Sequence, residues 1–371
     1  MADERAGGAS GPRGQSSAHK RRRRWSRFGR QGGQGPHAAP APDGSFYAAL
    51  DLGTNNCRLL VAHPTFDSFH VVDAFSRIIR LGEGLGRTGR LTEAAMGRAV
   101  EALKICALKL TRRKKMRVRL IATEAARAAE NGAEFLARVK QETGLTLEIV
   151  DRGTEAQLAA CSCAPLLDPE AEGAILFDIG GGSSELALLG RSSVVDRGPP
   201  IAQMRAWTSL PMGVVSLAER HGGKAVTRET FEAMVAEAVP AVAAFAHGAG
   251  AEGAKDIHLL GTSGTVTTIA GVHLELPRYD REQVDGIWLC AKDVTNAVER
   301  LVATSYEERV AHPCIGVERA DLVLAGCAIF EAIRRVFPCD RLRVADRGLR
   351  EGMLVELMRA DDVWACKENG K

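Results

Sequence analysis

Two stretches of this chain spell the same sentence. Leu50 to Ala62 reads LDLGTNNCRLLVA, and Phe177 to Leu189 reads FDIGGGSSELALL. In each, an apolar run ends in Asp, a glycine-containing turn follows, and a second apolar run returns, the pattern of a β-hairpin. Aligned without gaps, Asp51 meets Asp178, Gly53 meets Gly180 and Arg58 meets Glu185, an offset of 127 residues. That period is domain-sized and excludes a solenoid of short repeats. One such hairpin is most often only a hairpin. Two, each opening a strand–helix series with Asp at the strand end, restrict the chain to a pair of related lobes.

The rest of the pattern agrees. A helix is expected from Thr92, its N-cap, because Met96, Val100, Leu103, Ala107 and Leu110 recur at helical spacing, and it ends in the cations of TRRKKMR. VRLIAT reads as a buried strand; Asn131 with Glu134 is a capping signature for a helix closed by Gly144; TLEIVD is a strand and TEAQLAACSCAPLL a helix. After the second hairpin the alternation continues through DIHLLG, GTSGTVTTIAGV, RLRVAD and the closing GLREGMLVELM. The fold class is therefore α/β with largely parallel inner sheets. The expected domains are an N-terminal lobe over 45–158 and a C-terminal lobe over 159–371, preceded by a tail.

Charge singles out that tail. The formal net charge of the 371 residues is +3, yet residues 1–45 hold nine Lys/Arg against three Asp/Glu, leaving the body mildly acidic. KRRRRWSRFGRQGGQG lacks the apolar segment of a twin-arginine export signal, so 1–44 reads as a disordered basic tail, either merely solvated or in weak contact with a polyanion, RNA or a membrane surface. Nine cysteines without a CxxC or paired Cys/His spacing suit a reducing cytoplasm, and no apolar run is long enough for a membrane span.

The glycines suggest the chemistry. Gly53 and the run Gly180, Gly181, Gly182 let backbone amides approach an anion, and Thr54, Ser183 and Ser184 add hydroxyls. GTSGT, from Gly261 through Thr262, Ser263 and Gly264 to Thr265, supplies a further strand–loop–helix anion site. Asp51, Asp178 and Glu185 cannot hold phosphate directly. They make sense with a divalent cation between them and the substrate, and oxygen ligands with retained waters indicate Mg²⁺.

With DLGTN, FDIGGGSSE and GTSGT in place, together with ATEAARAAENGAEF, RGTEAQLA and DRGLREGML, the chain resembles the exopolyphosphatase/guanosine pentaphosphate phosphohydrolase family of the actin and sugar-kinase superfamily, over roughly residues 46–360. The resemblance implies two actin-like (ribonuclease H-like) lobes with a phosphate-binding cleft between them. The implied enzyme removes the terminal phosphate of inorganic polyphosphate or of pppGpp. It also implies that Glu155 is the catalytic base, that Asp51, Asp178 and Glu185 form the Mg²⁺ site, and that Arg127 lines the cleft with Asn55 and the loop residues named above. On sequence physics alone Glu155 reads more as a helix-dipole complement than as a base, and Arg127 equally as a surface ion pair. The resemblance implies the short two-lobed form, with a homodimer as its expected assembly. The first loop departs from the usual SNS as TNNC, which places Cys57 beside the expected phosphate pocket. A kinase would need an acceptor domain that the sequence does not display; a non-catalytic polyphosphate or alarmone sensor would not need Glu155.

Overall fold

Asp51 and Asp178 each stand one residue from the end of a strand that lies inside a sheet, which is why the residues before them are apolar on both faces. In the computed structural model, which describes residues 45–365 except 114, 194, 196 and 252–255, β1 (Phe46–Leu52) pairs antiparallel with β2 (Asn56–Pro64) and parallel with β4 (Met116–Ala122). The basic segment 1–44 and Cys366 lie outside the described residues. With β3 (Phe69–Ile78) and β5 (Glu148–Ile149), the first sheet runs β3-β2-β1-β4-β5.

The second sheet repeats this plan. Its strands are β6 (Gly173–Ile179), β7 (Ser184–Ser193), β8 (Ile201–Leu210), β9 (Ile257–Thr262), β10 (Trp288–Cys290) and β11 (Arg341–Val344), in the order β10-β11-β9-β6-β7-β8. With β10 set aside, order and strand directions match the first sheet. The register matches as well: Asp51 lies opposite Arg58, and Asp178 opposite Glu185. The ungapped alignment is thus a structural equivalence.

Helices cover both sheets. They include α1 (Glu93–Leu110), α2 (Gly132–Thr143), α3 (Arg152–Cys163), α4 (Val214–His221), α5 (Arg228–Gly248), α6 (Ser263–His273), α7 (Val323–Val336) and α8 (Leu349–Ala360). Thr92 caps α1, its side chain accepting from the Ala95 amide, and Gly144 closes α2 in the left-handed region. The expected Asn131 cap does not form. Its amide instead exchanges two hydrogen bonds with the Leu91 backbone (2.8 and 3.0 Å), fastening the entry of α2 to the entry of α1. The TLEIVD strand shortens to two residues because Asp151 accepts from the Thr154 amide and starts α3.

The lobes share more than a linker. One core lies between the first sheet and α1 with α2, and a larger one between the second sheet and α5, α6 and α7. Within α3, Leu158 packs with the first sheet, whereas Ala159, Ala160 and Cys163 pack with the second. α8 follows β11 in sequence, yet Met353, Leu354 and Met358 bury against Tyr47, Ala49 and Leu60 of the first sheet. Each such side chain contributes roughly 1.5–3 kcal/mol of burial, so this crossing anchors the lobes to one another. The Leu158 carbonyl would stand only 2.1 Å from a Cβ at position 352, so Gly352 is what lets α8 lie flush on α3.

Candidate active site

Both hairpin turns close in the same way. The Gly53 amide donates to Asn56 O (2.9 Å), and the Gly180 amide to Ser183 O (3.0 Å). Carbonyls of each loop are then bound from behind. Thr54 O accepts from Gly82 N–H and Asn55 O from Ile79 and Arg80; Gly180 O accepts from Val214 and Gly181 O from Val215, the first residues of α4. The amides of Thr54, Asn55, Gly181 and Gly182 donate to no backbone carbonyl among the described residues. All four residues line a cavity of about 150 Å³ between the sheets. Donors without a backbone acceptor on a glycine loop suit an anion.

Gly181 and Gly182 are there for space. None of Gly53, Gly180, Gly181 or Gly182 adopts a positive φ, so neither turn uses its glycine for a left-handed backbone. A Cβ on Gly181 would lie 2.9 Å from Thr54 Cβ, and one on Gly182 3.1 Å from Thr54 Oγ1 and from Glu124 Cγ. The two loops, from different lobes, pack against each other across the cleft. Only glycine allows that approach.

Asp51, Asp178, Glu185 and Glu155 all line this cavity. Burial pushes the Asp51 carboxyl above its ordinary range, Asp178 up to about 6, and Glu185 up to about 8, the last against hydrogen bonds from Ser209 and Ser183. Glu155, only 6% exposed on the first turn of α3, is pushed up to about 7 by burial. Its partner Arg127, with Nη1 2.6 Å away, opposes that rise. Arg58, Arg319, Arg347 and Arg350 face the same space. They also line an adjoining pocket of about 290 Å³ walled by Tyr279, Thr267 and Asp346. The site is thus a carboxylate cluster at one end and an arginine-lined annex at the other.

The donor set suits a hard cation. The Asn55 and Asn56 Oδ1 atoms are buried without a partner, beside carboxylates whose charged forms burial disfavours. Among the described residues, no three His, Cys, Asp or Glu side chains stand close enough to enclose a metal by themselves. A cation here would have to keep waters or take substrate oxygens, as Mg²⁺ does.

The model of the Ppx/GppA phosphatase family matches residues 60–361. The chain belongs to that family. Exopolyphosphatase 2 of Mycobacterium tuberculosis is 29% identical over 334 residues, covering 84% of this chain and 98% of that protein. The crystal structure of an Aquifex aeolicus family member superposes with a TM-score of 0.71 at 29% identity, over 86% of this chain and 99% of that one. An exopolyphosphatase from Cytophaga hutchinsonii shares the fold, with a TM-score of 0.74 at 24% identity over 86% and 98% of the two chains. This Ppx/GppA member is therefore a phosphatase, a hydrolase with two actin-like lobes.

Most of the residues singled out from sequence meet in this phosphatase's cleft: Asp51, Gly53, Thr54, Asn55, Glu155, Asp178, Gly180, Gly181, Gly182, Ser183, Glu185, Thr262, Ser263, Gly264 and Thr265. Three do not. Ser184 is fully buried and donates to Met212 O (2.7 Å), a structural tie. Gly261 lies within β9, where a Cβ would meet Phe177 and Val266 at 2.5–2.6 Å, so it serves packing. Arg127 does not line the cavity; Glu155, Glu124 and Val150 O occupy its guanidinium. Cys57 also turns away, burying its thiol in the first core beside Cys106. The pocket is not altered by it. Sequence reasoning missed Glu124, which lines the cavity and pairs with Arg152 (2.9 Å), and the annex arginines. Glu124, Arg347 and Arg350 stood in the quoted motifs unassigned; nothing in the pattern marked Arg319.

Proposed function

We propose that this phosphatase is a Mg²⁺-dependent exopolyphosphatase that releases terminal orthophosphate from inorganic polyphosphate. The observation that carries the reading is Glu155: a buried carboxylate pushed up to about 7, in the same cavity as both glycine loops. A base with that affinity for protons is half in its active form at neutral pH, where general-base catalysis is most effective.

The loop amides at 54–55 and 181–182, with the α6 N-terminus at Ser263 and Gly264, bind the terminal phosphoryl group. Glu155 orients a water on its far side and takes the proton as the anhydride bond breaks. The annex arginines Arg58, Arg319, Arg347 and Arg350 hold the remaining polyanion by charge. Asp51, Asp178 and Glu185, with Asn55 and Asn56, would hold Mg²⁺, which supplies charge stabilisation for the transferring phosphoryl group. The same features accept pppGpp, and the name of the mycobacterial relative favours polyphosphate.

The test is phosphate release from long-chain polyphosphate and from pppGpp in parallel, with Mg²⁺ or EDTA, for the wild type and Glu155→Gln. Mg²⁺-dependent release from polyphosphate, lost in the variant, is expected. Release from pppGpp alone would transfer the enzyme to the alarmone reaction. Binding without turnover of either would make the protein a sensor.

A further inference from the structure

The segment between β3 and α1 touches both lobes. On its inner side, the amides of Ile79 and Arg80 hold Asn55 O (2.8 and 3.1 Å), and the Gly82 amide holds Thr54 O (2.9 Å). Arg98 of α1 ties the same segment to its own lobe through Ile79 O (2.8 Å) and Arg80 O (3.2 Å). On its outer side, Arg80 forms a two-pronged pair with Asp321 of the other lobe (3.0 and 3.1 Å), and donates to Glu318 O (3.1 Å). The Gly84 amide donates to Glu219 of α4 (2.9 Å). α4 is the helix whose first amides hold Gly180 O and Gly181 O. One short strap therefore joins the supports of both phosphate loops.

Arg80 stands in the left-handed region, φ 47°, where a side chain carries a conformational cost that glycine avoids. Backbone geometry alone does not call for arginine there; the contact with Asp321 does. A planar guanidinium meeting a carboxylate on two oxygens fixes orientation as well as distance. The distance it fixes is between lobes whose loops meet at Thr54 and Gly181, where a Cβ would already be too large.

We propose that Arg80 is a positioning residue: its pair with Asp321 clasps the lobes and sets the spacing of the two phosphate loops before substrate arrives. The proposal rests on the cleft being the polyphosphate site. Without the clasp, free enzyme populates wider clefts, and apparent affinity falls with the closed fraction. Bound phosphate still draws the loops together, so turnover at saturation is retained.

Arg80→Gly removes the clasp while relieving the left-handed backbone, so folding is not what it tests. Its KM for polyphosphate is expected to rise about tenfold, with kcat within about twofold of the wild type. Hydrogen exchange should quicken in the peptides covering both loops, 50–56 and 180–184, and not in α5. Arg80→Lys should fall between. The exchanged pair Arg80→Asp with Asp321→Arg should restore KM and loop protection, since Asp tolerates the left-handed region. Unchanged KM and loop exchange in Arg80→Gly, or an exchanged pair no better than the single variants, overturns the proposal. If the wild type hydrolyses neither substrate, the functional reading fails, and loop exchange alone judges the clasp.

Discussion

Replacing Arg127 with methionine removes the cation facing Glu155 while keeping much of its apolar stem. In the wild type, burial pushes Glu155 up to about 7 despite this partner, whose Nη1 stands 2.6 Å from Oε1. An opposite charge at that range ordinarily lowers a carboxylate by roughly 1–3 pH units, so its loss should raise Glu155 by a similar amount. At pH 7 the ionised fraction would fall from about one half to between about 10% and 0.1%, a loss of roughly 5- to 500-fold in kcat/KM. The deficit should vanish at alkaline pH, because the base itself is intact. The assay is kcat/KM for phosphate release between pH 5.5 and 10, with Arg152→Met as control, since Arg152 pairs with Glu124 and not with Glu155. A parallel drop at every pH, with the acid limb unmoved, would refute the argument and make Arg127 a substrate contact or a structural tie.

Further outcomes can be read from the same structure. Glu155→Gln should lower kcat about 10²- to 10⁴-fold with the fold retained, as it removes the proposed general base while Gln keeps the side-chain shape and Glu124 still pairs with Arg127. Gly213→Ala should lower stability by roughly 1–3 kcal/mol in chemical denaturation and raise KM, because the new Cβ would lie 2.4 Å from the Gly181 carbonyl. Asp178 and Glu185 have folded pKa values raised to about 6 and about 8, so the folded state holds extra protons between the ordinary carboxylate range and those values. Their contribution to stability is therefore complete below the ordinary carboxylate range, and is lost as pH rises from there through about 6 for Asp178 and about 8 for Glu185. In EDTA, Tm should fall over that window, and Mg²⁺ should raise Tm more at pH 8 than at pH 6.

The parts of the site legible in sequence were those written locally. Asp51 and Asp178 sit at equivalent positions because two hairpins of the same design demand the same residue order, and an ungapped alignment exposes it. Glycine composition, however, does not distinguish a left-handed backbone from close approach. Gly181 owes its identity to Thr54, which lies in the other lobe. Asn131 had a helix start and a distant backbone as competing partners, and a short-range signature cannot choose between them. The annex arginines converge from β2, the turn before α7 and the start of α8, segments far apart in sequence that only the tertiary fold unites.

α8 gives this architecture an order of assembly. Tyr47, Ala49 and Leu60 are covered by Met353, Leu354 and Met358, which are made only after every strand of the second sheet. Until α8 emerges, one apolar face of the first sheet is left without its cover. The nascent chain presents that face to chaperones, and a stop codon before position 349 should yield an aggregating product rather than a smaller enzyme. Here the cleft is complete only once α8, which brings Leu349 and Arg350 to its lining, has been made.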